Sequence, residues 1–296
     1  MLYNEWTYEM LYRWGREELT LAEVPDAALD ARLLLEWCCG TDRNTLLAHG
    51  DREISQEEKN RYKAAVVRRQ SRVPLQQITG AQEFMGLTFA VDENVLVPRQ
   101  DTEILVEEVL RNLHDGMRIL DLCTGSGCIL LSLLYYSNDC TGIGTDLSPE
   151  ALQTAERNAE MTARTGTGER ALCAAFLQSD LFRSLPGEEK FDIIVSNPPY
   201  IRTSVIETLM PEVKNHEPRM ALDGGEDGLS FYRQIAAQAG GYLYSGGMLF
   251  MEIGSDQGKE VSRLLEDAGF KQIEVFQDYG GNDRVVQGVW SPSSLR

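Results

Sequence analysis

The chain has 296 residues, with 28 Lys and Arg against 46 Asp and Glu, and a formal net charge of −18. Apolar residues make up 43% and charged residues 25%, a balance that supports full cores and, at this length, roughly two domains. No apolar run approaches the ~18 residues a membrane-spanning helix needs. Met1 to Met10, with Glu5 and Glu9, lacks the basic-then-apolar pattern of a secretory leader. The expected location is therefore cytoplasmic, with no membrane partner. Residues 1–80 carry 11 basic and 13 acidic side chains, whereas residues 81–296 carry 17 and 33. Such acidity disfavours broad contact with nucleic acid phosphates, and its uneven division suggests two domains with different work. The six cysteines lack zinc spacing, so reduced, mostly buried thiols and no metal are expected.

Residues 1–72 read as a small helical bundle. Trp6, Met10, Leu11, Trp14 and Leu19 recur at helical spacing, as do Leu29, Leu33, Leu34 and Trp37, and Gly40 offers a stop. Ser55-Gln56-Glu57-Glu58 has the form of a capping box. The helix it opens ends in Arg68, Arg69 and Arg72, before Pro74 forbids continuation. Cations suit a helix C-terminus, so the cluster reads as a solvated helix end, with a partner-binding patch as the alternative.

Residues 73–101 change period and read as a β-hairpin linker. Phe84–Val91 and Val95–Val97 look like strands, joined by turn chemistry at Asp92-Glu93-Asn94. Residues 102–296 alternate strands and helices. Strands are expected at Arg118–Cys123, Thr141–Thr145, Ala174–Leu177, Phe191–Ser196, Met248–Ile253, Lys271–Phe276 and Arg284–Trp290. Helices are expected at Thr102–Leu113, from near Cys128, and at Pro149–Met161, Leu229–Ala239 and Gln257–Ala268. This alternation defines an α/β fold with a mainly parallel sheet covered on both faces. The connection Asp278–Asp283 is too short for a parallel crossover, so the last two strands should form an antiparallel hairpin. The segment from Asn197 to Gly228 is a long loop, and such loops are often functional.

Four polar clusters fall at successive strand ends, the edge where open α/β sheets bind ligands. Asp121-Leu122-Cys123-Thr124-Gly125-Ser126-Gly127 joins the first strand to an apolar helix. Its glycines let backbone approach a ligand, and the helix N-terminus offers free N–H groups. Leu130 stands where a dinucleotide motif would have its third glycine. Asp146, ending the next strand, can bind both hydroxyls of a ribose or cap the helix that begins near Pro149. Asp180 can accept from an exocyclic amine, with Leu181 or Phe182 flanking the ring, or it can be a turn residue. Asn197-Pro198-Pro199-Tyr200 follows the fourth strand. The Asn197 side-chain oxygen and the Pro198 carbonyl are acceptors, and Tyr200 offers a flat face, so together they form a receptor for a planar –NH2 group.

This set resembles the amino-methyltransferases with a Rossmann-like domain that use S-adenosylmethionine. Further segments narrow the resemblance to the peptide chain release factor glutamine methyltransferase family (PrmC/HemK). They are Pro74-Leu75-Gln76-Gln77-Ile78-Thr79-Gly80, Glu83-Phe84, Val97-Pro98-Arg99 with Thr102-Glu103, Glu217-Pro218-Arg219, Ala221 to Gly228, Glu252-Ile253-Gly254 and Asp283-Arg284-Val285-Val286. Cys123 departs from the family's usual Gly, and Gln100 from its usual Pro.

The resemblance implies a Rossmann-like class I methyltransferase domain over 102–296, with a seven-stranded sheet, behind an N-terminal substrate-recognition domain over 1–72. It implies methyl transfer from S-adenosyl-L-methionine, leaving S-adenosyl-L-homocysteine, to the glutamine side-chain amide in the Gly-Gly-Gln motif of class I release factors. Cofactor-binding roles go to Cys123, Thr124, Gly125, Ser126, Gly127, Asp146, Asp180, Leu181 and Asn197. Substrate binding goes to Asn197, Pro198, Pro199 and Tyr200, of which Asn197, Pro198 and Tyr200 are the catalytic candidates. His49, His114 and His216 are expected to be non-catalytic, because a methylated amide sheds its proton without a base. The protein is expected to be a monomer without a direct nucleic acid partner. Rival readings are a ribosomal protein glutamine methyltransferase, a nucleic acid adenine methyltransferase and a silent cofactor-binding scaffold.

Overall fold

The computed structural model describes residues 6–165 and 172–292, so Glu5 lies outside the described residues. The chain divides into two units, one of residues 1–80 with 210–216, the other of residues 81–209 with 217–296.

In the first unit, helices Tyr8–Leu21, Ala27–Cys39 and Gln56–Gln70 enclose Leu11, Leu19, Leu34, Leu35, Tyr62, Val66 and Ile78. The capping box at Ser55 and Glu58 is formed in both directions, and Gly40 ends its helix in the left-handed region at φ 58°. The buried stripe is rotated from the expected one. Leu29 and Trp37 are exposed, whereas Asp30, Ala31 and Cys38 face inward. The reason is Arg69, which is 6% exposed and hydrogen-bonds the Asp30 carboxylate at 2.6 Å and that of Glu212 at 2.9 Å. Arg72 adds a two-pronged contact to Glu212 at 2.7 and 2.8 Å. Of the Arg cluster, Arg68 is exposed as a solvated helix end would be, whereas Arg69 and Arg72 are neither solvated nor a free patch. Two of its members hold the short helix Pro211–His216.

The expected hairpin forms in a different register. Strand β1, Ala81–Phe84, pairs with β2, Leu87–Ala90, around Met85-Gly86. Both turn residues have positive φ, 51° and 68°, the geometry that matches the twist of a two-residue hairpin. Val95–Val97 is not a strand. Asp92 makes an Asx turn onto the Asn94 N–H at 2.9 Å and accepts from Thr154 and Arg157. Residues 73–101 are likewise not one linker. Helix Leu75–Thr79 buries Ile78 in the helical core, while Phe84, Leu87 and Phe89 enter the core of the second unit.

The second unit carries β3 (Arg118–Leu122), β4 (Thr141–Asp146), β5 (Cys173–Gln178), β6 (Phe191–Ser196), β7 (Leu243–Glu252), β8 (Phe270–Gln277) and β9 (Asp283–Trp290). Their order is β5-β4-β3-β6-β7-β9-β8, parallel from β5 to β7, with β9 antiparallel to both neighbours. Alternate residues feed two cores. Ile119, Ile193, Val195 and Phe250 face helices Glu103–Asn112 and Cys128–Tyr136. Leu120, Leu122, Ile194, Leu249 and Met251 face Ser230–Tyr242 and Gly258–Asp267. The C-terminal ends of β3, β4, β5, β6 and β7 therefore share one edge. The long loop after Asn197 is partly ordered into Thr203–Ile206, Pro211–His216 and a 3-10 turn at Arg219–Ala221. Among the described residues no helix is long and apolar enough to cross a membrane.

Candidate active site

A cavity of ≈ 180 Å³ opens along that edge. Its walls include Cys123, Thr124, Gly125 and Ser126 after β3, Asp146 at the end of β4, Asp180 and Leu181 after β5, and Asn197 and Pro199 after β6. Sequence-distant candidates thus converge, because parallel strands place all their C-terminal loops on one side.

The loop after β3 is held from several directions. Thr124 donates its hydroxyl to the fully buried Asp121 at 2.6 Å and its N–H to the Thr145 carbonyl at 2.9 Å. Burial pushes the Asp121 carboxyl up to about 7, against the Thr124 hydrogen bond. Cys123 sits at φ 58°, the left-handed geometry that a glycine would take there at lower cost. Its thiol is pushed far above the ordinary range by burial and by the Asp146 and Asp121 charges, so it is an unreactive wall. Gly127 does not line the cavity. A Cβ there would meet Ala155 and Leu131 at 3.2 Å, so its bareness serves helix packing. Asn158 ties the loop down by donating to the carbonyls of Ser126 and Ala90.

Asp146 is not the helix cap. Ser148 caps Pro149–Ala163 by accepting from the Ala151 N–H at 3.1 Å. Asp146 instead accepts the Gly125 N–H on Oδ2 and the Ser148 N–H on Oδ1, each at 2.9 Å. Burial raises its pKa, and these N–H groups oppose the rise. A carboxylate oxygen keeps a second lone pair after one such bond, so Asp146 can still receive two hydroxyls. Asp180 is exposed at the cavity rim, and Leu181, at φ 50°, turns its side chain inward. Phe182 does not flank the cavity. It is 1% exposed and stacks on Tyr242 at 4.8 Å between ring centres.

Around Asn197, Pro198 is buried, and among the described residues no donor is bonded to its carbonyl or to the Asn197 side-chain oxygen. Tyr200 is not part of the cavity wall. Its hydroxyl donates to Glu252 Oε1 at 3.2 Å, and its carbonyl accepts from Gln257 Nε2 at 3.1 Å. Gln257 also accepts from the Gly254 N–H and donates to the Gly228 carbonyl, pinning the segment after β6 to the end of β7. Gly224 packs directly beneath, where a Cβ would stand 2.7 Å from the Tyr200 Cα.

Sequence reasoning assigned no role to several cavity residues, among them Arg99, Thr102, Leu147, Pro218 and Met220. Arg99 grips the buried Glu217 carboxylate at 2.6 and 2.8 Å, and Val97 N–H bonds the same group. Thr102, Arg99 and Pro218 belong to the segments that carried the family resemblance, which was the one signal for them.

A mainly parallel seven-stranded sheet with an inserted antiparallel hairpin, and its ligand edge built from the loops after β3 to β6, defines a Rossmann-like methyltransferase domain. The crystal structure of a methyltransferase from Pyrococcus furiosus shares this fold, with TM-score 0.51 and 16% identity, over 77% of this chain and 98% of that one. Residues 10–80 match the PrmC N-terminal domain and residues 99–216 the methyltransferase small domain. A release factor glutamine methyltransferase of Agrobacterium fabrum is 43% identical over 92% of this chain and 93% of its own. Another, from Geobacter sulfurreducens, is 42% identical over 96% of each. The chain belongs to the release factor glutamine methyltransferase family.

Proposed function

We propose that the protein transfers a methyl group from S-adenosylmethionine to the side-chain amide nitrogen of the glutamine in the Gly-Gly-Gln motif of class I release factors. The observation that carries this reading is the convergence of Asn197 and Pro199 with Asp146, Asp180 and the glycine loop on one cavity. The donor set suits the cofactor. Asp146 offers spare acceptor capacity to a ribose, and Asp180 stands at the next strand end for an exocyclic amine. Gly125 leaves open space where a Cβ would project. Acidic groups in the cavity wall, Asp146 and Asp180, favour a cationic ligand. When bound, the cofactor supplies an electrophilic methyl group.

The chain's own residues hold the nucleophile. An amide nitrogen is weakly nucleophilic because its lone pair is delocalised into the carbonyl. Asn197 Oδ1 and the Pro198 carbonyl accept its two N–H groups, which orients the nitrogen and stabilises the positive charge that grows on it. The alkylated nitrogen is strongly acidic and releases its proton to water, so no histidine is needed. Tyr200 acts from behind the wall by bracing Asn197-Pro198-Pro199 against Glu252 and Gln257. The helical unit serves substrate recognition, and the reaction belongs in the cytoplasm, where release factors work.

The test is incubation with labelled S-adenosylmethionine and, separately, purified release factor, a ribosomal protein mixture and DNA. Label on the release factor glutamine is expected. Label confined to either of the others would overturn the substrate assignment.

A further inference from the structure

We propose that Arg99 binds the carboxylate at the amino acid end of S-adenosylmethionine, and that Glu217 is the positioning residue that holds its guanidinium in the cavity wall. The inference rests on the methyl-transfer reading and extends it to a part of the cofactor that the strand-end residues leave unmatched.

The cofactor carries both signs of charge. Its sulfonium and ammonium groups are cationic, and its carboxylate is anionic. Asp146 and Asp180 in the cavity wall suit hydroxyls, amines and cationic centres, but they repel a carboxylate. An anion taken from water into such a cavity needs a cationic partner or well-placed N–H donors. Among the described residues, Arg99 is the only basic side chain lining the cavity. The backbone N–H groups of the helix that opens at Cys128 are the rival donors.

Arg99 is already fixed in place. Its Nη2 donates to both oxygens of Glu217, at 2.6 and 2.8 Å. Among the described residues no acceptor is bonded to its Nε or Nη1, and its side chain is 42% exposed. The Glu217 side chain is 1% exposed and accepts the Val97 N–H at 3.2 Å as well. Arginine ordinarily loses much side-chain freedom on binding a ligand. Pinning one nitrogen to a buried carboxylate removes that freedom before the ligand arrives and leaves a preorganised set of donors. Those donors can make charge-assisted hydrogen bonds to a second carboxylate.

The experiment uses the full-length protein and calorimetric titration with two ligands, S-adenosylmethionine and its decarboxylated analogue, which keeps the nucleoside, sulfonium and amine. Arg99→Met should weaken S-adenosylmethionine binding about 10- to 150-fold, the loss of one hydrogen bond to a charged group, and leave the analogue within about threefold. That variant strands the buried Glu217 charge, so the double variant Arg99→Met with Glu217→Gln is titrated beside it and should show the same ligand-selective loss. Glu217→Gln alone should loosen Arg99, weaken S-adenosylmethionine severalfold and spare the analogue. Equal losses for both ligands would overturn the proposal and make the pair purely structural. Unchanged S-adenosylmethionine affinity in the Arg99 variants would also overturn it, assigning the carboxylate to the helix N-terminus. Wild-type protein that binds neither ligand would instead refute the cofactor reading beneath it.

Discussion

Asp146→Asn gives the sharpest test of the cofactor site. The carboxylate holds two backbone N–H groups at 2.9 Å, one per oxygen, and each oxygen has a further lone pair. The amide is isosteric, but one of its branches becomes a donor. It can no longer accept from the N–H beside it or from a ribose hydroxyl. A hydrogen bond to a charged acceptor contributes about 1.5–3 kcal/mol, so losing one to the ribose weakens cofactor binding about 10- to 150-fold. Stability should behave differently. Burial raises the Asp146 pKa in the folded state, so the folded protein loses stability as pH rises through that value. A neutral amide removes this dependence, and its gain at neutral pH offsets the lost backbone bond. Calorimetric titration paired with thermal melting of the cofactor-free protein reads both quantities. Cofactor affinity within twofold of wild type, with an unchanged melt, would refute the ribose assignment.

Asn197→Ala should lower kcat by at least about 100-fold, the usual effect of removing one preorganised group, while cofactor affinity changes only severalfold. Cofactor binding lost in proportion to kcat would point to collapse of the site. Gly224→Ala would set a Cβ 2.7 Å from the Tyr200 Cα, and this overpacking should cost about 1–3 kcal/mol in urea unfolding and depress turnover with it. An unperturbed enzyme would show that the two backbones separate freely. Glu212→Gln tests the helical unit. Burial pushes the Glu212 carboxyl up, but hydrogen bonds from Arg72 and Arg69 outweigh this and hold it at about 2. Because the folded value lies below the unfolded one, the stabilisation is full above about pH 4.5 and fades as pH falls towards 2. The shift corresponds to about 3 kcal/mol, so the variant should lose about that much at pH 7, and the gap should narrow below pH 4.5. A gap independent of pH would assign the effect to packing alone.

Much of the second unit was legible because its signals are local. Parallel strands buried on both faces read as apolar runs, and the short Asp278–Asp283 link excludes a crossover. The hairpin was misplaced for an equally local reason. Gly86 inside the run Phe84–Val91 was the turn signal, and it was outweighed by the more familiar turn residues at 92–94, which serve an Asx turn. Tyr200 was assigned to the site by motif, and Phe182 was one of two candidates to flank the ligand ring, but bonding to Glu252 and stacking on Tyr242 draw them behind the cavity wall.

The alternation of elements determined an α/β fold, the four polar strand ends marked the edge where its chemistry lies, and the motifs' resemblance to a known family supplied the class of protein. Those properties depend on residue type and on neighbours a few positions away. Which candidates share the cavity, why Arg69 is buried, and how Thr102 reaches Asn197 were decided only by tertiary structure. Arg69 meets Glu212 across 143 positions and Asn197 meets Thr102 across 95. No periodicity encodes such pairings, which arise only when the folded chain brings the partners together and desolvates them.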